Sequence, residues 1–505
     1  MKGRSVSVAA ILVAIAMLLG RLTGLLRILA LAAVLGVSHA NDLAILVISV
    51  PDVLNAMLIG GAMAAVLVPE MHRRSQNISE QNANQLIVQT FFVVGAISSL
   101  LALVLAVCSS WLTQILASGF TPAQISEASR LIMIVLLGFP ISAVTAVTAA
   151  ALQGHHRPGI PAYGNLFFNV ILLVAIIFWV TPENINAVVW AVILAVSFRL
   201  LTQLISCFAI GAFQGGFHSL TRFSTMNREL MLKYFQALTA IGVVVAFPVV
   251  SRSFASAFEG GISLFEYAQK LVELPRGLFG AILTMVIFPR LSRIFSEGNV
   301  AEGAKIISQA AGFILLVSIP ATVAIYGSAV PVVSLLFERG MFSAADVANT
   351  AQLLQIVIIS MPALILSILT MNVFYARHET IVPFKISLVS LGCLVLLSIV
   401  LRNSMGISGV MLAFVISSWF HFLCLTIALH LKLKVSIIQG VNFKHCAALI
   451  LLALLGISFS TMMTRLVSEP VLLVAYSGIL GLICFGAVLL ILKNHLPRFN
   501  RKLSV

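Results

Sequence analysis

The run VSVAAILVAIAMLLGRLTGLLRILALAAVL, residues 6–35, is long enough to cross a bilayer yet carries Arg21 and Arg27 in its interior. About 20 apolar residues in a helix span the hydrocarbon core. A bare charge at the bilayer centre costs roughly 2.5–3.5 kcal/mol on insertion scales, so such a charge turns toward a polar cavity or a partner. A second run, residues 262–288, repeats the pattern with Lys270, Glu273 and Arg276. Cations gathered in two membrane helices point to a chamber that holds something negative. Transport of an anion is the first function this implies.

The chain has 505 residues, 60% of them hydrophobic and only 9% charged. A soluble domain carries about 25% charged residues. Apolar stretches recur at residues 6–35, 42–69, 84–115, 123–153, 159–181, 186–212, 229–254, 262–289, 304–327, 345–376, 382–402, 406–431, 445–466 and 470–493. The reading is an all-α polytopic membrane protein with about 14 transmembrane helices. The net charge of +14 is scattered over short loops, which argues for topology signals and against nucleic-acid binding. With the N-terminus inside, the cytoplasmic loops collect Lys2, Arg4, Arg73, Arg74, Arg157, Arg290, Arg293, Arg377, Lys432 and Lys434 among others. The opposite side receives only Arg130, Arg252, Arg339, Arg402 and Arg465, which places both termini in the cytoplasm. Lys2 and Arg4 before an apolar run superficially match a secretory signal, but Arg21 and Arg27 argue against cleavage. The six cysteines all lie in apolar segments without a CxxC pair, so neither a metal nor a disulfide framework is expected.

The halves repeat. Thr121-Pro122-Ala123-Gln124 and Ser343-Ala344-Ala345-Asp346 each open a helix with a capping residue, and Pro140 and Pro362 follow at equal distances. The differences 344 − 122 and 362 − 140 are both 222, and His156 with His378, and Pro161 with Pro383, keep that offset. Pro69-Glu70-Met71-His72-Arg73 mirrors Pro289-Arg290-Leu291-Ser292-Arg293. A six-helix unit, being even, gives both copies one orientation, related by a pseudo-twofold axis along the membrane normal. The expected organisation is an N-terminal lobe over residues 1–222, a C-terminal lobe over 223–440, and two extra helices with a cytoplasmic tail over 441–505. Prolines interrupt several spans; Pro51 and Pro275 stand out because they occupy equivalent places in the second and eighth.

Arg27 lies six residues beyond Arg21, about 9 Å along the helix. The two are not on one face, although a bend at Gly20 or Gly24 would alter that, and Arg27 has an alternative as a snorkelling interfacial residue. In the eighth span Glu266, Lys270 and Glu273 follow i, i+4, i+7 spacing. Either Lys270 and Arg276 bind a ligand with Glu273 holding a cation in place, or Lys270 and Glu273 neutralise each other within the helix. Asp42 and Asp52 are read as helix caps or gate partners. Arg199, in the sixth span, is an interior cation without a nameable partner. Arginine suits a diphosphate because its planar fork bonds two oxygens at once.

The stretch from Tyr267-Ala268-Gln269-Lys270 through Glu273-Leu274-Pro275-Arg276-Gly277 to Phe288-Pro289-Arg290 resembles a signature of the MurJ (MviN) family of lipid II flippases. Leu335-Leu336-Phe337-Glu338-Arg339-Gly340-Met341-Phe342 and Phe374-Tyr375-Ala376-Arg377 are similar to two more, and Gly20-Arg21 through Asp42 and Pro51 to the first hairpin. The resemblance covers essentially the whole chain. It implies a two-lobed fold of the multidrug/oligosaccharidyl-lipid/polysaccharide (MOP) exporter superfamily. It also implies carriage of a lipid-linked peptidoglycan precursor from inner to outer leaflet by alternating access, in a bacterial inner membrane. By that likeness Arg21, Arg27, Lys270 and Glu273 fall on cavity positions, Lys270 replacing an arginine, and Asp42 matches an acid of the pattern. Asn55 stands where the family usually has an arginine, and Ile28 follows Arg27 where the family has an aspartate. Arg276 is the candidate to supply the missing charge.

Rival functions are distinguishable. A drug–cation antiporter needs buried acids, and the first span has no carboxylate. A polytopic glycosyltransferase needs catalytic acids and usually a sizeable extramembrane domain, whereas the longest loops are short by the span count. A translocase of another polyprenyl-diphosphate oligosaccharide shares the anionic headgroup and stays open. The expectation is a monomeric transporter, not an enzyme, without cofactor, its coupling to membrane potential, sodium or protons left open.

Overall fold

The computed structural model describes residues 2–57, 63–77, 80–214, 228–377 and 379–434. The described residues form α1 (Lys2–Leu35), α2 (His39–Met57), α3 (Met63–Asn77), α4 (Glu80–Val107), α5 (Ser109–Leu116), α6 (Pro122–Val135), α7 (Gly138–Gly154), α8 (Gly159–Phe178) and α9 (Asn186–Ala209). They continue with α10 (Arg228–Ala255), α11 (Gly261–Ile282), α12 (Phe288–Ser296), α13 (Val300–Gly327), α14 (Ala329–Phe337), α15 (Ala344–Ile358), α16 (Met361–Ala376) and α17 (Ile381–Leu433). A π-helical turn, Leu283–Ile287, joins α11 to α12. No strand occurs among the described residues. The described residues of the first twelve spans fall mainly on helix, and the last two spans lie outside the described residues, as does all of 441–505.

By length and apolarity, seven helices among the described residues can cross a membrane, or nine when two bent pairs each count as one span. The long α17 joins two predicted spans, with a break at Gly406, whose φ of 62° is non-helical. Large apolar side chains point outward on these helices: Leu100, Leu103 and Val107 on α4, Leu396 and Val400 on α17. In water such a surface would drive association; against acyl chains it is the ordinary exterior. Phe178 and Trp179, exposed at the end of α8, suit an interfacial aromatic belt. The chain is a multi-pass membrane protein.

The spans predicted at 123–153 and 345–376 are not single helices. Each is a pair, Pro122–Val135 with Gly138–Gly154 and Ala344–Ile358 with Met361–Ala376, and both pairs bend by 41°. Pro140 and Pro362 sit in the first turns of α7 and α16. There the missing N–H has no intrahelical acceptor to lose, so proline starts a helix where it would break an interior. The same bend at the same place in each half is the predicted repeat in three dimensions. Thr121 closes the capping box expected of it: its N–H donates to Gln124 Oε1 at 2.9 Å and its Oγ1 accepts from Gln124 N–H at 3.4 Å.

Contacts divide the chain into two compact units, Met1–Glu266 with Arg339–Ser343, and Tyr267–Glu338 with Ala344–Val505. The lobe boundary read from sequence, at 222–223, falls in a stretch outside the described residues. In the first unit α7 is the central helix, buried from Ser142 through Leu152 and packed by α2, α3, α4 and α9. Its alanines let neighbouring backbones approach, the usual basis of helix association in lipid. Thr148 donates to Gln203 Oε1 of α9 at 2.8 Å, a bond type worth about 0.6 kcal/mol in membrane proteins. In the second unit α16 has the same standing, buried along most of its length and packed by α12, α13 and α17.

The Leu335–Phe342 signature has a structural task. After α14, Gly340 takes a φ of +61°, and a Cβ there would lie 2.1 Å from the Ala33 carbonyl oxygen. Met341 N–H donates to that same oxygen at 2.8 Å, so the segment docks on the end of α1. Gly36, also at φ +61°, answers it: a Cβ there would meet Met341 O at 2.6 Å. Only glycine fits either position.

Candidate functional site: a buried cation cluster in the first unit

The packing of α1 on α8 sets the site. Gly20 and Gly24 do not interrupt α1, which is one helix from Lys2 to Leu35. They face α8: a Cβ on Gly20 would come 3.4 Å from Asn165 Nδ2, and one on Gly24 would come 3.4 Å from Asn169 Nδ2. Four-residue spacing puts both glycines, and both asparagines, on one stripe of each helix. Asn169 Nδ2 donates to the Gly20 carbonyl oxygen at 3.0 Å, which turns its Oδ1 toward Arg27.

Arg27 is 5% exposed. Its Nη1 donates to Asn169 Oδ1 at 2.9 Å and its Nη2 to Asp52 Oδ2 of α2, also at 2.9 Å. The guanidinium lies 5.9 Å from the centroid of the Phe168 ring, within cation–π range. Nε makes no hydrogen bond. Burial on three sides removes the snorkelling alternative for Arg27. Asp52 is not a helix cap; it is the counter-ion of Arg27, with a half-exposed side chain. This supplies from α2 the acid that Ile28 fails to supply beside Arg27. Asn169 and Phe168 were absent from the sequence reading, although an asparagine pair four residues apart on an apolar helix is a legible signal.

Asp42 is buried, and its Oδ1 accepts from the backbone N–H of Ser263 at 2.8 Å and from Ser263 Oγ at 2.5 Å. It therefore caps the N-terminus of α11 rather than that of α2, satisfying one of the orphan donors there. At the same end His39 Nε2 lies 3.4 Å from Glu127 Oε2.

On α11 the three charges expected on one face part company. Glu266 pairs with Arg252 of α10 at 3.6 Å, while Lys270 Nζ meets Glu273 Oε2 at 2.9 Å within the helix. That pair is common to self-neutralisation and to Glu273 holding Lys270 in place for a ligand. Arg276 and Arg21 are partly exposed and make no ion pair or hydrogen bond among the described residues. Pro51 is buried inside α2 and Pro275 half-buried inside α11; neither ends its helix. Asn55 lies within α2. Among the described residues no group of three or more His, Cys, Asp or Glu side chains has metal-binding geometry.

A helical membrane protein built on a repeated bent pair, with cations held inside its first unit, is of the transporter class. Among solved structures, an inward-facing multidrug resistance MATE family transporter of the MOP superfamily superposes with a TM-score of 0.67 at 14% identity, covering 84% of this chain and 98% of that one. A structure titled lipid II flippase MurJ, inward closed conformation, superposes with a TM-score of 0.80 at 18% identity, covering 96% and 99%. In sequence, the probable lipid II flippase MurJ of Rhizobium meliloti (strain 1021) is 26% identical over 413 residues, 80% of this chain and 77% of that protein. Its counterpart in Thermotoga maritima is 26% identical over 466 residues, 88% and 93%. The family model for lipid II flippase MurJ matches residues 31–476. The chain belongs to the MurJ family.

Proposed function

We propose that this chain carries lipid II, the undecaprenyl-diphosphate-linked peptidoglycan precursor, from the inner to the outer leaflet of a bacterial cytoplasmic membrane by alternating access. It acts as a monomeric transporter rather than an enzyme, with both termini in the cytoplasm. Family membership supports the reading, and one observation carries it to the residues: Arg27 is buried in a membrane unit, oriented by Asn169 and Phe168, and paired with a single half-exposed carboxylate. A diphosphate offers the same fork geometry as that carboxylate with more charge, so it competes for the guanidinium.

Arg21, Arg27, Lys270 and Arg276 are the proposed cationic ligands, and Asn55 is a further proposed substrate-binding residue. Asp42, Glu273, Pro51 and Pro275 position or gate them. The N-terminal lobe is residues 1–222, the C-terminal lobe 223–440, and residues 441–505 add two helices and a tail. Arg276 supplies the charge absent at Asn55; Arg276→Ala then abolishes transport and Asn55→Arg partly restores it, whereas normal transport in Arg276→Ala rejects the substitution. Membrane potential, worth about 2.3 kcal/mol per charge per 100 mV, or a sodium or proton gradient drives the cycle.

The test is depletion of this protein in its native cell, followed by assay of the lipid-linked sugars held on the inner leaflet. Lipid II accumulation there supports the proposal. Accumulation of another polyprenyl-diphosphate oligosaccharide, with lipid II unchanged, rejects lipid II as the cargo.

A further inference from the structure

Arg199 stands in the middle of α9, 5% exposed, and its Nε and Nη1 have no hydrogen-bond partner. It lies against α8 at Gly164, where a Cβ would come within 3.0 Å of Arg199 Cγ and Nε. The missing side chain of Gly164 makes room for this cation. A buried membrane arginine without a counter-charge is costly and marks a functional group. Geometry brings Arg199 near the Arg27–Asp52 pair: α2, which carries Asp52, packs on α9, and Gly164 lies one turn of α8, about 6 Å, before Phe168, on which Arg27 rests while its Nη2 holds Asp52 at 2.9 Å.

Arg27 is oriented by Asn169 and Phe168, whereas Arg199 is buried against α8 with two of its nitrogens unpartnered. Asp52, with a side chain 42% exposed, has room to turn. The cluster is therefore one paired cation, one unpaired buried cation and one half-exposed anion. From this we infer that Arg199 is a positioning residue for transport: it takes over the Asp52 carboxylate when a lipid diphosphate displaces that carboxylate from Arg27. The inference rests on the proposed cargo class. Without Arg199, the arriving diphosphate strands Asp52 as an unpaired charge, which opposes binding. With it, one ion pair becomes two, and the substrate is favoured by the second. Such coupling is reciprocal, so the position of Asp52 reports whether the site is filled.

The experiment measures binding of undecaprenyl diphosphate, the anionic part common to polyprenyl-diphosphate cargoes, to the purified full chain in nanodiscs. Arg199→Gln, with its melting temperature recorded, binds about tenfold more weakly, the scale of one coupled pair. Asp52→Asn added to Arg199→Gln restores the affinity, because no Arg27–Asp52 pair remains to be broken. Arg199→Lys, which keeps the charge, stays near the wild type. Should Arg199→Gln fail to fold, Gly164→Ala, which only displaces the Arg199 side chain, weakens binding when Asp52 is present and not when it is asparagine. Equal binding by wild type and Arg199→Gln, or a loss that Asp52→Asn does not repair, overturns the relay and leaves the cargo reading standing. A wild-type chain that binds no undecaprenyl diphosphate overturns the cargo reading itself, and the relay with it.

Discussion

Single charged residues in the spans of this chain act through the partners they meet on other helices. Arg21, Arg27, Lys270 and Glu273 are visible because a charged letter inside an apolar run is rare. What each charge faces depends on helices distant in sequence: Asp52 and Asn169 for Arg27, Ser263 for Asp42. Spacing rules reach three or four residues, so they found Lys270–Glu273 and missed the others. Outside the spans, Glu70 shows how a local pair tunes a carboxylate. Arg73 Nη2 and Arg74 Nε both donate to Glu70 Oε1 at 2.7 Å. The bond from Arg73, helped by that from Arg74 and opposed by burial, lowers its pKa from 4.5 to about 2. A carboxylate depressed on folding stabilises the fold fully above its unfolded value and loses that contribution as pH falls toward the folded one. Thermal melts should therefore separate wild type from Glu70→Gln at pH 7, with the gap closing as pH falls from about 5 to about 2. A gap that is constant over that range contradicts the pairing.

Among elements, the repeat was legible because proline and capping residues mark helix starts whatever surrounds them. The single spans predicted through Pro140 and Pro362 became bent pairs, since a proline signals a boundary without telling a kink from a fresh start. Short helices such as α14 fell below the span-length rule and were not seen. The docking of Gly340 on α1 makes a sharp prediction. An alanine in the left-handed region costs about 1–2 kcal/mol from backbone sterics alone. Gly298, with a φ of +76° and nothing within 4 Å of its would-be Cβ, isolates that cost. Gly340→Ala should lower the melting temperature clearly more than Gly298→Ala, because it also meets the Ala33 carbonyl. Equal losses in the two variants would show that the contact with Ala33 is not held.

For the whole molecule, composition alone established a polytopic helical membrane protein, and signature stretches established the family, since both depend on local sequence. On the proposed function, a guanidinium cluster in the first unit receives the phosphates of a lipid-linked sugar and so permits it to cross the bilayer. The most direct test is leaflet exchange of fluorescent lipid II in proteoliposomes of the purified chain, compared with Arg27→Gln at matched folding and insertion. We expect exchange by the wild type and a fall of about a hundredfold or more in the variant, because it removes a charge-assisted fork on which transport depends. Equal exchange by wild type and Arg27→Gln, or no exchange by a folded wild-type chain under an imposed potential and sodium and proton gradients, would contradict it.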